Sequence, residues 1–320
     1  MRRRQTPMDL HQQLEAVGVD AIRQQASGDR RVLARIEAAS AALGESSALW
    51  THPAWCMVGL PHRRPDDEKP WVRRNGGFHL LVAGGHILDE EGHPRAAGIP
   101  YGATARIILL DAQTHVRDDG VVPLGRSMSA WLRRMGMAAT GGERGTITAV
   151  KEQLLRLSRA RISLHWDLQE GSGRRRTIID QTPIDGLTLW NDGLSDRWDG
   201  ALHLHPAYVA ALKRRPVPLS AAAVQRLAGS AMALDLYLWL VYRLYKLRPC
   251  ESGLVVHWAD LAEQMGASYS RLDHFAAQVS AMLPAVRDVY PNARVVAMAA
   301  GVQLFSSPPA MPRKLSTQNR

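Results

Sequence analysis

The chain reads as an α+β protein made of two tandem winged-helix domains, each a helix-turn-helix followed by a β-hairpin wing. Three observations predict this. Two amphipathic helices, separated by a glycine-rich turn, run straight into two strands joined through an arginine-rich turn. The order helix, helix, helix, hairpin then recurs in the second half. The chain has 320 residues and a formal net charge of +10, with a pI near 10.1; that length suits two cores, and that charge suits a polyanionic partner.

Residues 1–54 read as an N-terminal helical arm. Pro7 to Leu43 is helical, with Asp29 as an N-cap and Val32, Leu33, Ile36 and Ala39 as its apolar stripe. Met1-Arg2-Arg3-Arg4 is not followed by the apolar run a signal peptide needs.

The first domain spans residues 55–190. Trp55 to Leu60 reads as a strand, Pro61 to Pro70 as a charged loop. Trp71 to Arg74 and Phe78 to Ala83 are strands around the hairpin signal Gly76-Gly77, and Gly84-Gly85 and Asp89 to Ala97 are turns. Tyr101 to Leu110 follows Pro100 as a helix. Ser127 to Met137 is the next, with Met128, Trp131, Leu132 and Met135 on one face. Thr140-Gly141-Gly142-Glu143-Arg144-Gly145-Thr146 turns the chain, and Thr146 is placed to cap the following helix, whose inward residues are Ile147, Val150, Leu154 and Leu157. Arg161 to Leu168 alternates as a strand, Glu170 to Arg176 is the turn, and Thr177 to Asp180 returns. A boundary falls between Trp190 and Asp199.

The second domain spans residues 200–305. Ala201 to Leu204 is a short strand and Ala221 to Leu247 a long helical stretch. Val256 to Met265 is a helix ended by Gly266. Ser268 or Ser270 caps the next, in which Leu272, Phe275, Val279 and Met282 face inward. Ala293 to Ala299 and Val302 to Phe305 form a terminal hairpin. Residues 306–320 have no apolar period and read as a disordered basic tail.

The chemistry expected of this arrangement is DNA recognition. The outward face of the second helix offers Thr146, Thr148, Lys151, Glu152, Arg156 and Arg159, preceded by Arg144 in the turn. Glu152 suits a cytosine amino group, and Arg156 or Arg159 suits guanine or phosphate. Arg174, Arg175 and Arg176 would bring the wing to backbone or minor groove. In the second domain the corresponding residues are Ser270, Arg271, His274 and Gln278. A solvated amphipathic helix would look the same in isolation; the glycine turn before it and the basic hairpin after it favour DNA.

Four blocks of this chain resemble the plasmid-encoded RepA replication-initiator family of bacteria. They are Gly98-Ile99-Pro100-Tyr101-Gly102-Ala103-Thr104-Ala105-Arg106, Leu124-Gly125-Arg126-Ser127-Met128-Ser129, Thr140 to Thr146, and Glu152-Gln153-Leu154-Leu155-Arg156-Leu157. They stand in the family's order, within a match from about Trp55 to Phe305. The resemblance implies an initiator that binds repeated sites in double-stranded origin DNA and opens the duplex. It also implies recruitment of host replication proteins, such as the host initiator and replicative helicase, and a balance between monomer and homodimer that the sequence does not set.

Other classes find less support. Cys56 and Cys250, far apart in sequence, suit a reducing cytosol and argue against a disulfide framework or a zinc site. The apolar run Ala231 to Tyr242 contains Asp235 and is too short to span a membrane, so the chain reads as soluble and cytoplasmic. Gly171-Ser172-Gly173 lacks the Lys-Ser/Thr of a phosphate-binding loop. Asp66-Asp67-Glu68 reads as a charged loop tip rather than a metal cluster. No cofactor or metal is expected and no catalytic residue is assigned. Two alternatives remain: a transcriptional repressor with the same folds, and a rolling-circle nuclease holding a divalent metal on His203 and His205, with Tyr237, Tyr242 or Tyr245 as nucleophile.

Overall fold

A computed structural model describes residues 10, 13, 18–25, 29–43, 47–89, 91–170, 173–180, 183–188, 200–266 and 271–311. The chain begins with helices α1 (Val19–Gln25) and α2 (Arg30–Leu43), strand β1 (Ala48–Thr51) and the short helix α3 (Ala54–Met57). Strands β2 (Trp71–Asn75), β3 (Phe78–Ala83), β4 (Gly85–Leu88) and β5 (Pro94–Gly98) follow. Next come α4 (Gly102–His115), β6 (Val121–Pro123), α5 (Met128–Arg134), α6 (Thr146–Arg159), β7 (Arg161–Glu170) and β8 (Gly173–Asp180). Strands β9 (Ile184–Thr188) and β10 (Ala201–Leu204), helix α7 (Pro206–Arg214) and strand β11 (Val217–Ser220) lead to the second half. That half contains α8 (Ala221–Leu227), α9 (Ala231–Lys246), β12 (Leu254–His257), α10 (Trp258–Met265), α11 (Leu272–Val289), β13 (Val295–Met298) and β14 (Gly301–Leu304).

The order helix, strand, helix, helix, hairpin therefore occurs twice, but the sheets differ. In the second half the leading strand β12 pairs with β14, which pairs with β13, so these three antiparallel strands form a sheet of their own. In the first half the hairpin β7–β8 extends a four-stranded sheet in the order β2-β3-β7-β8, and the leading strand β6 pairs with β10 instead.

The halves share one core. Trp131 and Leu154 from the first belong to the same buried cluster as Leu240, Phe275 and Leu304 from the second. Strand β1 pairs with the distant strand β11, Ala48 opposite Ser220. Strand β10 lies between β6 and β9. The boundary expected between Trp190 and Asp199 lies outside the described residues.

A buried carboxylate joins the halves. Asp235, on the apolar helix α9, accepts hydrogen bonds from Arg106 Nε at 2.7 Å and Nη2 at 2.8 Å, and from Arg73 Nη1 at 3.0 Å. His62 Nε2 lies 2.9 Å from the same group. A buried charge is tolerable only with such partners. Burial alone would raise the Asp235 pKa, but the charge and hydrogen bonds of Arg106, with His62 and Arg73, hold it well below the usual carboxylate range. Gly59 makes the room: a Cβ there would sit 2.7 Å from both Arg73 Nη1 and Asp235 Oδ2.

Several local expectations change. Trp55 to Leu60 is not a strand: Ala54–Met57 is a helical turn, and the strand is the preceding Ala48–Thr51. A short apolar run does not distinguish the two, and the partner strand is remote in sequence. Gly85–Leu88 and Pro94–Gly98 are a paired hairpin rather than turns. Val256 and His257 are strand; the helix starts at Trp258. Asp29 does cap α2 through Val32 N, and Ile36 and Ala39 are buried while Val32 is exposed. This helix docks on α11, where Arg35 pairs with Asp288 at 2.6 Å. Residues 306–311 are packed rather than disordered: Ser307 and Met311 are buried, and the Tyr290 hydroxyl donates to Pro308 O at 2.6 Å. Residues 312–320 lie outside the described residues. Among the described residues no helix is long and apolar enough to cross a membrane.

Candidate nucleic-acid interface

Helix α5 is set by its cap and by one buried acid. The Ser127 hydroxyl accepts from Ala130 N at 3.1 Å, and Met128, Trp131, Leu132 and Met135 turn inward as their spacing requires. Asp111, on α4, accepts from Trp131 Nε1 at 2.8 Å and from Arg134 Nη2 at 2.6 Å. Arg134 also donates to Pro123 O at 2.9 Å, fixing α5 against α4 and β6.

The turn into α6 is closed by threonines. Thr140 N donates to Thr146 Oγ1 and Thr146 N to Thr140 Oγ1, both at 3.0 Å. The Thr148 hydroxyl donates to Gly142 O at 2.9 Å. Gly142 has φ 85°, and a Cβ on Gly145 would lie 2.4 Å from Thr140 O, so both glycines are needed for this path. Thr146 is the first residue of α6 and Gly145 its cap. The Thr146 hydroxyl accepts from Thr140 N and donates to Ala138 O, so it is engaged within the turn, while exposed Thr148 has its proton held by Gly142 O.

On α6 itself, Val150, Leu154 and Leu157 are buried, and Thr148, Lys151 and Arg159 are exposed, as is Arg144 in the turn. Arg156 is the exception. Its side chain is 5% exposed and points into the protein. Nη1 lies 2.7 Å from Asp67 Oδ1 and donates to Ile99 O at 3.0 Å. Nε is 3.0 Å from Glu152 Oε1, and the guanidinium stacks 5.2 Å from the centre of the Tyr101 ring. The expected base contact from Arg156 is thus corrected: its donors are already engaged. Glu152 is half-buried and shared with it.

The block Gly98 to Arg106 explains this node. Ile99 N donates to Asp67 Oδ1 at 3.0 Å, and Tyr101 N donates to Gln153 Oε1 at 2.9 Å. Gly98, at φ 85°, leaves the room, since a Cβ there would come within 2.1 Å of Arg156 Nη1. Asp67 is consequently more than a loop tip. Partial burial would raise its pKa, but Arg156, Ile99 N–H and Arg64 bring it down to about 2.

The wing arginines are repositioned in backbone terms. Arg174, Arg175 and Arg176 lie within β8, opposite Gln169, Leu168 and Asp167 of β7, not in a turn; their side chains lie outside the described residues. In the second half Ser270 lies outside the described residues, with Ser268. Arg271 occupies the N-cap position of α11 without a side-chain cap bond and pairs with Asp273. His274 is exposed and Gln278 half-buried. Phe275 and Val279 are fully buried, whereas Leu272, expected inward, is 46% exposed.

The nuclease arrangement gains nothing from its neighbours. His205 Nδ1 accepts from Ala207 N at 3.2 Å, capping α7. Tyr237 is fully buried, and its hydroxyl accepts from Ser220 N at 3.1 Å. Among the described residues the His/Cys/Asp/Glu group with metal-ligand proximity is Asp89, Glu91 and His93, remote in sequence from both histidines.

What the sequence concealed is the set of buried ion pairs, Asp67–Arg156, Asp111–Arg134 and Asp235–Arg106. For Asp235 a signal was present, an acid within an apolar helix, since such a group must find partners.

Residues 99–260 match the family model described as plasmid encoded RepA protein. No curated protein sequence matches the chain. Among solved structures, domains 2 and 3 of RctB superpose with a TM-score of 0.50 at 10% sequence identity, covering 81% of this chain and 99% of that one. A second structure of RctB domains 2–3 gives 0.44 at 12% identity, over 79% and 96%. The first of these likenesses shows a shared mixed helix-and-sheet fold.

Proposed function

Since the chain belongs to the plasmid-encoded RepA protein family, we propose that it is a replication initiator that binds repeated sites in double-stranded origin DNA. On this reading it opens the duplex and recruits host replication proteins, with no catalytic step of its own. Each half acts as a winged helix, with α6 and α11 as the recognition helices. The observation that carries the reading is the exposed face of α6. It presents Lys151, Thr148 and Arg159 to solvent beside Arg144, with β7–β8 directly behind, within the region the family model covers. In the second half the pairing β12-β14-β13 supports the same assignment, with Arg271, His274 and Gln278 as candidate contacts. Glu152, shared with Arg156, is a candidate acceptor for a cytosine amino group.

Two such helices on one chain would reach adjacent major grooves, about one helical turn apart. Footprinting across a salt series on the origin of the parent plasmid tests this. Protection of direct repeats over roughly two helical turns, surviving competitor DNA, is expected. Binding that is salt-sensitive and leaves no discrete footprint overturns it.

A further inference from the structure

The C-terminal end of α9 carries a cluster that neither recognition helix uses. Tyr242 and Tyr245 lie one helical turn apart, interleaved with Arg243 and Lys246. The Lys246 ammonium sits 5.8 Å from the centre of the Tyr242 ring. Arg215, delivered by the connection between α7 and β11, is close enough for its charge to act on the same phenol, opposing the rise that burial causes. Tyr245 is 49% exposed, and Arg215, Lys246 and Arg248 are exposed. Among the described residues none of these three cations is in a salt bridge, although the neighbouring Lys213 is held by Asp118. Arg243 Nε is buried without a hydrogen-bond partner. Glu251, exposed in the following turn, is the nearest acid along the chain.

Cations at a helix C-terminus also offset the helix dipole. That accounts for Arg243 and Lys246. It accounts neither for Arg215, which comes from another element, nor for a tyrosine ring left in solvent. The cluster is also set apart from the second hairpin. Leu254 pairs with Leu304 and His257 with Gly301, so the β13–β14 tip lies at the His257 end of the sheet. The cluster lies at the Leu254 end, where Ser307 N donates to Leu244 O.

The geometry points to a second nucleic-acid surface here, one that takes a single strand: Tyr245 stacks on an unpaired base while Arg215, Lys246 and Arg248 hold the flanking phosphates. Duplex phosphates would call for cations alone, whereas an exposed ring on the same helix end adds a stacking platform once base faces are free. The inference rests on the initiator reading, in which duplex opening supplies such a strand.

The test is fluorescence anisotropy with the full-length chain and two probes, a labelled oligo-dT of about 20 nucleotides and a duplex bearing the origin repeat. Tyr245→Ala is expected to weaken oligo-dT binding about tenfold. Arg215→Glu with Lys246→Glu is expected to weaken it further and to flatten its salt dependence. Repeat binding should stay unchanged in both variants. All the substituted side chains are exposed, and thermal melting reports any loss of fold. Wild-type protein that binds the repeat but not oligo-dT overturns the inference and leaves the initiator reading intact. Binding to neither probe removes both. Equal losses on both probes would make the patch a general duplex contact. Unchanged oligo-dT binding, with loss only of a protein partner's binding, would make it an acidic-protein site. Either result overturns the single-strand assignment.

Discussion

Arg156 and Asp67, separated by 89 positions, meet at 2.7 Å beneath a glycine that has no room for a side chain. The contact pins the last turn of α6 to the loop before β2 and, through Ile99, to the start of α4. Arg156 therefore sets the height and tilt of α6 against the rest of the first half.

Arg156→Ala should accordingly act on stability. Removing one member of a buried pair costs ~3–5 kcal/mol, and somewhat less here because Asp67 keeps Arg64. Thermal melting should fall, and affinities for specific and random DNA should decline together. Relaxed specificity at one base, with an unchanged melting temperature, would restore the base-reading role.

The same pair predicts a pH dependence. The folded-state pKa of Asp67 is about 2, below its unfolded value of about 3.9. Its contribution is fully present above the unfolded value and is lost as pH falls through the folded one. Wild-type stability should thus drop between about pH 4 and pH 2 more steeply than that of Asp67→Asn, by denaturant titration at each pH. Parallel curves would contradict the assignment.

Leu154→Ala should destabilise the chain by ~2–5 kcal/mol, since that side chain is fully buried. Chemical denaturation measures it, and an unaltered midpoint would mean α6 is turned the other way.

For DNA the contrast lies between Lys151 and its buried neighbour. Lys151→Ala or Arg175→Ala should weaken binding to all sequences alike and lower the salt slope by about one unit for each phosphate no longer neutralised. A slope that does not change in either variant would remove that residue from the interface.

Asp235→Asn leaves Arg73 and Arg106 buried without their anion. A loss of ~3–5 kcal/mol is expected, and a double-mutant cycle with Arg106→Met should show strong coupling between the positions. Additive effects would show that the ion pair does not hold the halves together.

Which parts of this were legible in the sequence follows from range. The inward faces of α5 and α6 were readable because spacing of three and four is a local signal, and Trp131, Val150, Leu154 and Leu157 are buried as expected. The hairpin around Gly76 was readable from its glycine pair. Arg156 was misread because a cation in a last turn ordinarily faces water. In the fold Gln153, three positions earlier, is buried as well, so the inward stripe is wider than the apolar residues alone suggest. Strand β1 and the ion pairs were not legible, because each depends on partners brought together only by the whole fold. Leu272 failed for a different reason: its spacing fits the stripe, but it stands at the first turn of α11, beyond the end of the core.

The shared core and the Asp235 junction also bear on how such a protein can change over generations. Neither half is a portable cassette. A fragment ending before α9 would carry Arg73 and Arg106 into solvent or bury them unneutralised, and one ending before β11 would also leave β1 without its pairing strand. Recombination that exchanged only the C-terminal half would have to import Asp235 in register with two arginines it had never met. On the proposed reading, new DNA targets are therefore reached more readily by substitution along the exposed faces of α6 and α11 than by trading whole halves between relatives.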